Sequence, residues 1–195
     1  MFFLSLLLLG QSAGLDADTG KAASECATIY AAGFARTGKA DIVHGVSQMT
    51  YLSMAAARAE GLRGSAFLYR AVAMLQAFKP PIHTGKTVAS PADCDKRFPF
   101  ARTTVPATLP QDSADRDILC FWALSLVARS VENSPRRSAE VTPLVTRFTE
   151  RLALALKAKD VSPADKEIAL GDAMHASLDL GNIESIALSC RELPA

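Results

Sequence analysis

The sequence has no Cys-x-x-Cys pair, no Asn-x-Ser/Thr acceptor, few aromatic residues and no surplus of charge of either sign. Each deficit closes a class of function. A zinc knuckle or a c-type haem attachment needs two thiolates held about one turn apart, and Cys26, Cys94, Cys120 and Cys190 are all far from one another. Asn133 is followed by Ser134 and Pro135, so no N-glycosylation signal is present there. With 21 basic against 20 acidic residues the chain has no long-range field to draw nucleic acid or anionic lipid. Aromatic residues are only 7%, which leaves few platforms for stacking unpaired bases. The serine-hydrolase elbow is missing as well, because Gly45-Val46-Ser47-Gln48 lacks the second glycine and a preceding strand.

What is present begins with an apolar run over residues 2–9, broken only by Ser5, and followed by Ser12, Ala13 and Gly14. It is far shorter than the roughly 20 residues that span a bilayer. A short apolar core with small residues after it has the form of a secretory signal, with cleavage expected before Leu15. The segment carries no Lys or Arg ahead of the run, so the amino terminus is its one positive charge. The expectation is residues 1–14 as signal peptide and residues 15–195 as one exported, soluble helical domain, periplasmic or secreted, with no membrane span after cleavage. Export places the four cysteines in an oxidising compartment, where an even count favours two disulfides. Four cysteines allow three pairings. Clasping the two ends of the mature chain and pinning the long loop favours Cys26 with Cys190 and Cys94 with Cys120.

Helical period dominates after Lys21. Cys26, Ile29, Tyr30, Gly33 and Phe34 share one stripe of a helix closed by Gly38. A second helix opens after Asp41, keeps Ile42, Val46, Met49, Ser53 and Ala56 on one face, and stops at Gly61. A third, capped by Ser65, aligns Phe67, Ala71, Met74 and Phe78 until Pro80 and Pro81 forbid continuation. Residues 80–111 then hold Pro80, Pro81, Pro91, Pro99, Pro106 and Pro110 without sustained period, and read as a long loop tethered at Cys94.

Residues 118–128 (ILCFWALSLVA) form the most apolar segment of the mature chain and predict a central helix surrounded by the others, with Cys120 and Trp122 buried. Thr142-Pro143 predicts the start of a helix carrying Leu144, Phe148, Leu152 and Ala155 inward. Ser162-Pro163 repeats that opening for a helix with Ile168, Met174 and Leu178 inside, ending at Gly181, and Asn182 caps a short last helix through Cys190. No stretch alternates as a strand would. The fold expected is all-α: an irregular bundle of about six helices plus a short C-terminal helix, stapled by disulfides.

Three constellations could carry chemistry. His83 to Thr87 spell HTGKT, but the first glycine of a phosphate-binding loop would fall at Pro80 and no strand precedes it, so the segment reads as a solvated turn. Asp41 with His44, and Asp172 with His175, are Asp-x-x-His pairs, a spacing that puts carboxylate and imidazole on one helix face as bundle metal sites do. Such sites use Glu and draw further carboxylates from other helices, with no evident registration here, while an N-cap for Asp41 and a hydrogen-bonded core position for His175 serve as well. Cys94, beside Lys96 and Arg97, would be a reactive thiol if free, yet export favours its oxidation to a disulfide. No cofactor is expected. The sequence therefore predicts a non-catalytic binding or structural protein whose partner is another protein or a small apolar ligand. The alternatives are a bundle metalloenzyme built on Asp41, His44, Asp172 and His175, or an apolar-ligand carrier.

Overall fold

The computed structural model of the chain describes residues 15–37, 42–77 and 89–194. Residues 1–14, with the expected signal, lie outside them, as do Asp41 and the HTGKT segment. Among the described residues there are eight α-helices and no strand: α1 (Thr19–Thr37), α2 (Ile42–Ala59), α3 (Gly64–Ala77), α4 (Pro91–Arg97), α5 (Ser113–Ser130), α6 (Pro135–Ala158), α7 (Lys166–Ser177) and α8 (Ile183–Arg191). The all-α bundle is thus present. None of these helices is long and apolar enough to cross a membrane.

Four helices differ from the sequence reading: α3 opens at Gly64 with Ser65 inside it, α7 runs Lys166–Ser177 after a short 3-10 turn at Pro163–Asp165, and α4 and α6 depart further. α4 lies inside the proline-rich loop, where Ser90 and Asp93 cap each other reciprocally and Pro91 opens the first turn. At seven residues it is too short to show a period, and it is held by the Cys94 disulfide, by the Tyr30 hydroxyl donating to Asp95 at 2.6 Å and by Arg97 donating to Thr19 Oγ1 at 2.9 Å. α6 begins at Pro135 rather than at Thr142, with Pro143 inside it. Pro143 sits on the exposed side, where a missing N–H costs least. Thr142 instead turns its hydroxyl back to the Ser138 carbonyl at 2.8 Å.

The disulfides correct the expected pairing. Cys26 joins Cys94 and Cys120 joins Cys190. The expectation rested on clasping the ends of the chain, but the packing pairs α1 with α4 and α5 with α8 instead. Beside the second bridge, Arg147 on α6 donates to the carbonyls of Cys190 and Leu193, and Arg151 to that of Pro194. The C-terminal segment is thereby tied to two helices at once.

The main core draws on all eight helices, with Phe67, Leu52, Leu124, Phe148 and Ile186 fully enclosed. Trp122 is buried, as its place in the apolar segment 118–128 of α5 predicts. The second half of the proline-rich segment is not free of this core. Asn182, itself 1% exposed, caps α8 through the Ser185 amide and donates from Nδ2 to the carbonyls of Phe100, Ala101 and Thr103. One buried side chain thus satisfies the Ala101 and Thr103 carbonyls and shares that of Phe100 with the Thr103 amide.

Two residues expected inside are at the surface. Ile42 is 52% exposed at the start of α2, whose burial lies in its second half, where Tyr51 to Ala57 are covered all round. Ile168 is 45% exposed because α7 turns a different face inward. That face is set by Gly171, at which an added Cβ would stand 1.9 Å from the Gly64 carbonyl oxygen. α3 and α7 therefore meet backbone to backbone, and α7 has no freedom to rotate Ile168 into the core.

Candidate functional site

The close seat of α7 on α3 leaves its opposite face short of volume. Ala169, Ala173 and Ala176 recur at i, i+4 and i+7 and look across toward α5, where small side chains cannot fill the space. The result is a cleft of about 880 Å³ between α5, α7 and the turn that follows α6. Its floor is Ile118 and Leu119 of α5, both 2% exposed, and its outer wall is Ile168. The exposed Ile168 that sequence periodicity placed inside is thus a wall of the cleft. Beneath it a smaller cluster of Ile118, Leu152, Ala155 and Leu156 backs the floor, separate from the main core.

The turn at the mouth is built by a specific device. The Val161 amide reaches back to the Leu156 carbonyl and the Asp160 amide to that of Lys157, the paired bonds of a Schellman close, with Val161 and Leu156 in the same apolar cluster. The residue that must adopt left-handed backbone there is glycine in most proteins. Here it is Asp160, at φ 53°. Its carboxylate has no hydrogen-bond or ion-pair partner among the described residues, and it stands at the rim of the cleft. Asp115, also on the rim, is bridged to Lys159 at 2.7 Å.

The residues singled out by spacing take other roles. Asp172 accepts the Gly64 amide at 3.0 Å, capping the start of α3, while the adjacent Arg63 guanidinium donates to His175 Nδ1 at 2.8 Å. The Phe67 ring meets the His175 ring edge-on at 5.1 Å. Burial, then the Arg63 and Arg58 cations, hold the His175 pKa below the ordinary imidazole value. Its Nδ1 accepts from an obligate donor, so the imidazole is neutral with its proton on Nε2. Asp172 and His175 thus share one face, as their spacing requires, and that face is the α3 junction.

His44 is at a different junction. Its Nδ1 is 2.6 Å from Glu184 Oε2 in the first turn of α8, and its Nε2 is 2.7 Å from the Gln48 side-chain nitrogen. Ser47 Oγ, fully buried, receives the Glu184 amide at 2.9 Å. With Nδ1 donating to the carboxylate and Nε2 accepting from Gln48, both ring nitrogens are engaged, and the group fastens α2 to α8. Among the described residues no three of His, Cys, Asp and Glu converge as a metal site would require. Cys94 is in a disulfide.

Periodicity missed the cleft because it marks what is large and apolar, and the cleft exists where α7 is small. A trace was present in the alanines at 169, 173 and 176, although alanine at helical spacing signals close packing as often as a gap. The chain matches no protein family model, no curated protein and no solved structure.

Proposed function

We propose that the protein is an exported, non-catalytic binding protein that holds an apolar ligand in the cleft between α5 and α7. The observation that carries this reading is the cleft itself. Ligand pockets occupy about 300 to 1,000 Å³, are lined mainly by apolar side chains and carry a few polar groups at the edge. The space of about 880 Å³ over Ile118, Leu119 and the α7 alanines has that size and lining. Export is supported by the short apolar run ahead of Leu15 and by two disulfides, which persist in oxidising compartments.

The test uses protein recovered outside the cytoplasm. Intact mass should match a chain beginning near Leu15, and organic extraction followed by mass spectrometry should release an apolar small molecule. Emptied protein should enhance the fluorescence of N-phenyl-1-naphthylamine, a neutral apolar probe. Ala173→Trp, which fills the cleft from its α7 wall, should abolish the enhancement while far-ultraviolet circular dichroism stays unchanged. Equal enhancement by wild type and Ala173→Trp would remove the cleft from this account.

A further inference from the structure

Resting on that reading, the charges around the cleft narrow what it takes. Among the described residues, Asp115, Asp160, Asp165 and Asp172 line it with Lys159 as the one cation, a formal surplus of three negative charges over an apolar floor. Three of the four carboxylates have structural employment. Asp115 is bridged to Lys159, Asp165 caps the short turn after α6 with Ser162, and Asp172 caps α3. Asp160 has none, yet it occupies the left-handed position that glycine would fill without strain. The neighbouring hollow beyond Val161, whose rim Asp160 shares, carries Lys157 and Lys166, so the surplus of negative charge lies on the cleft side of Asp160. Lys166 is turned onto the Phe121 ring, at 5.3 Å, which holds its charge on that other side.

We infer that the occupant is a small cationic amphiphile, its apolar body lying on Ile118, Leu119 and the α7 alanines and its ammonium facing Asp160 at the rim. An anionic lipid would have to set its headgroup among unneutralised carboxylates. A purely neutral hydrocarbon would make no use of them. Amphiphilic amines fit both the lining and its charge.

The experiment displaces bound N-phenyl-1-naphthylamine from the full-length mature protein at low ionic strength, using dodecyltrimethylammonium, dodecanoate and dodecanol below their aggregation concentrations. The ammonium should displace the probe at a concentration about tenfold below that of dodecanoate, with dodecanol between them. Salt should compress the difference, since rim charges are screened. Asp160→Asn keeps the local backbone preference and removes the charge. It should weaken the ammonium about threefold, the order of one exposed charge pair, while probe and dodecanol are unaffected. Asp160→Lys should erase the preference. Equal displacement by ammonium and dodecanoate, or a preference untouched in Asp160→Lys, overturns the cationic assignment while leaving the apolar cleft in place. Failure of the probe to bind at all instead overturns the reading on which the inference rests.

Discussion

Gly171→Ala sets two ordinary rules against each other. Alanine is the best helix former, and replacing a helix-interior glycine should gain about 1 kcal/mol. At Gly171 the new Cβ would lie 1.9 Å from the Gly64 oxygen and 2.4 Å from its carbonyl carbon. Both are backbone atoms, so no side-chain rotation relieves the clash and α7 must retreat from α3 by about 1 Å. Retreat stretches the Asp172 bond to the Gly64 amide and the Arg63 bond to His175, and lifts His175 from the edge of Phe67. Overpacking costs about 1 to 3 kcal/mol and each weakened hydrogen bond about 1 kcal/mol. Sterics should therefore win by about 2 to 4 kcal/mol, or roughly 4 to 16 °C in Tm for a chain of this size. Gly33→Ala is the control, because no atom of the described residues lies within 4 Å of its added Cβ, and the propensity gain should show, about 0.5 to 1 kcal/mol. Thermal and urea melts by circular dichroism, disulfides intact, read both. If Gly171→Ala stabilised the protein as Gly33→Ala does, α7 would not rest on α3 through its backbone and the origin given for the cleft would fail.

Three further outcomes are expected. The bridges Cys26–Cys94 and Cys120–Cys190 close loops with separations of 68 and 70, so loop entropy assigns each about 4 kcal/mol, and thiol titration in denaturant should find no free thiol; a Cys120→Ala/Cys190→Ala variant that melts like wild type would contradict this. Trp122→Ala should cost about 3 to 5 kcal/mol, and wild-type tryptophan emission should be blue-shifted until unfolding, whereas a water-exposed native spectrum would turn α5 outward. His175 has a lowered folded-state pKa, so the unfolded chain binds its proton first; stability should be unaffected well above pH 6.5 and fall as pH drops through about 6.5 toward the folded value. His175→Gln, which keeps an acceptor for Arg63, should flatten that slope below about pH 6.5, and an unchanged slope in chemical denaturation would place the titration elsewhere.

Most of the bundle was legible because helices announce themselves locally. Gly61 closes α2 in left-handed backbone and Asn182 caps α8, each as residue type and position predict. Local signals also explain the misses. Ser134-Pro135 and Thr142-Pro143 both carry the grammar of a helix start, and only the first is used, since an exposed proline in mid-helix can be absorbed by its neighbours. The proline-rich stretch concealed α4, whose seven residues are too few to show a hydrophobic stripe and are held by the Cys94 disulfide and by hydrogen bonds at Asp95 and Arg97. Disulfide pairing was beyond reach for a different reason. It depends on which helices are neighbours, and that follows from contacts such as Gly171 on Gly64 that have no local signature.

The two Asp-x-x-His pairs show where spacing stops being informative. A three-residue step guarantees a shared helix face, and on α7 it delivers Asp172 and His175 to a common partner. What the partner is decides the chemistry. Had α3 presented carboxylates there, the same two side chains would have stood ready for a metal; it presents an amide and a guanidinium, so the carboxylate caps and the imidazole accepts. Asp160 is the converse case. No motif draws attention to it, its backbone would be easier as glycine, and its charge meets no partner among the described residues. A residue that the fold tolerates at a cost and does not use is a stronger pointer to a ligand than one whose spacing resembles a site but whose every donor and acceptor is already engaged.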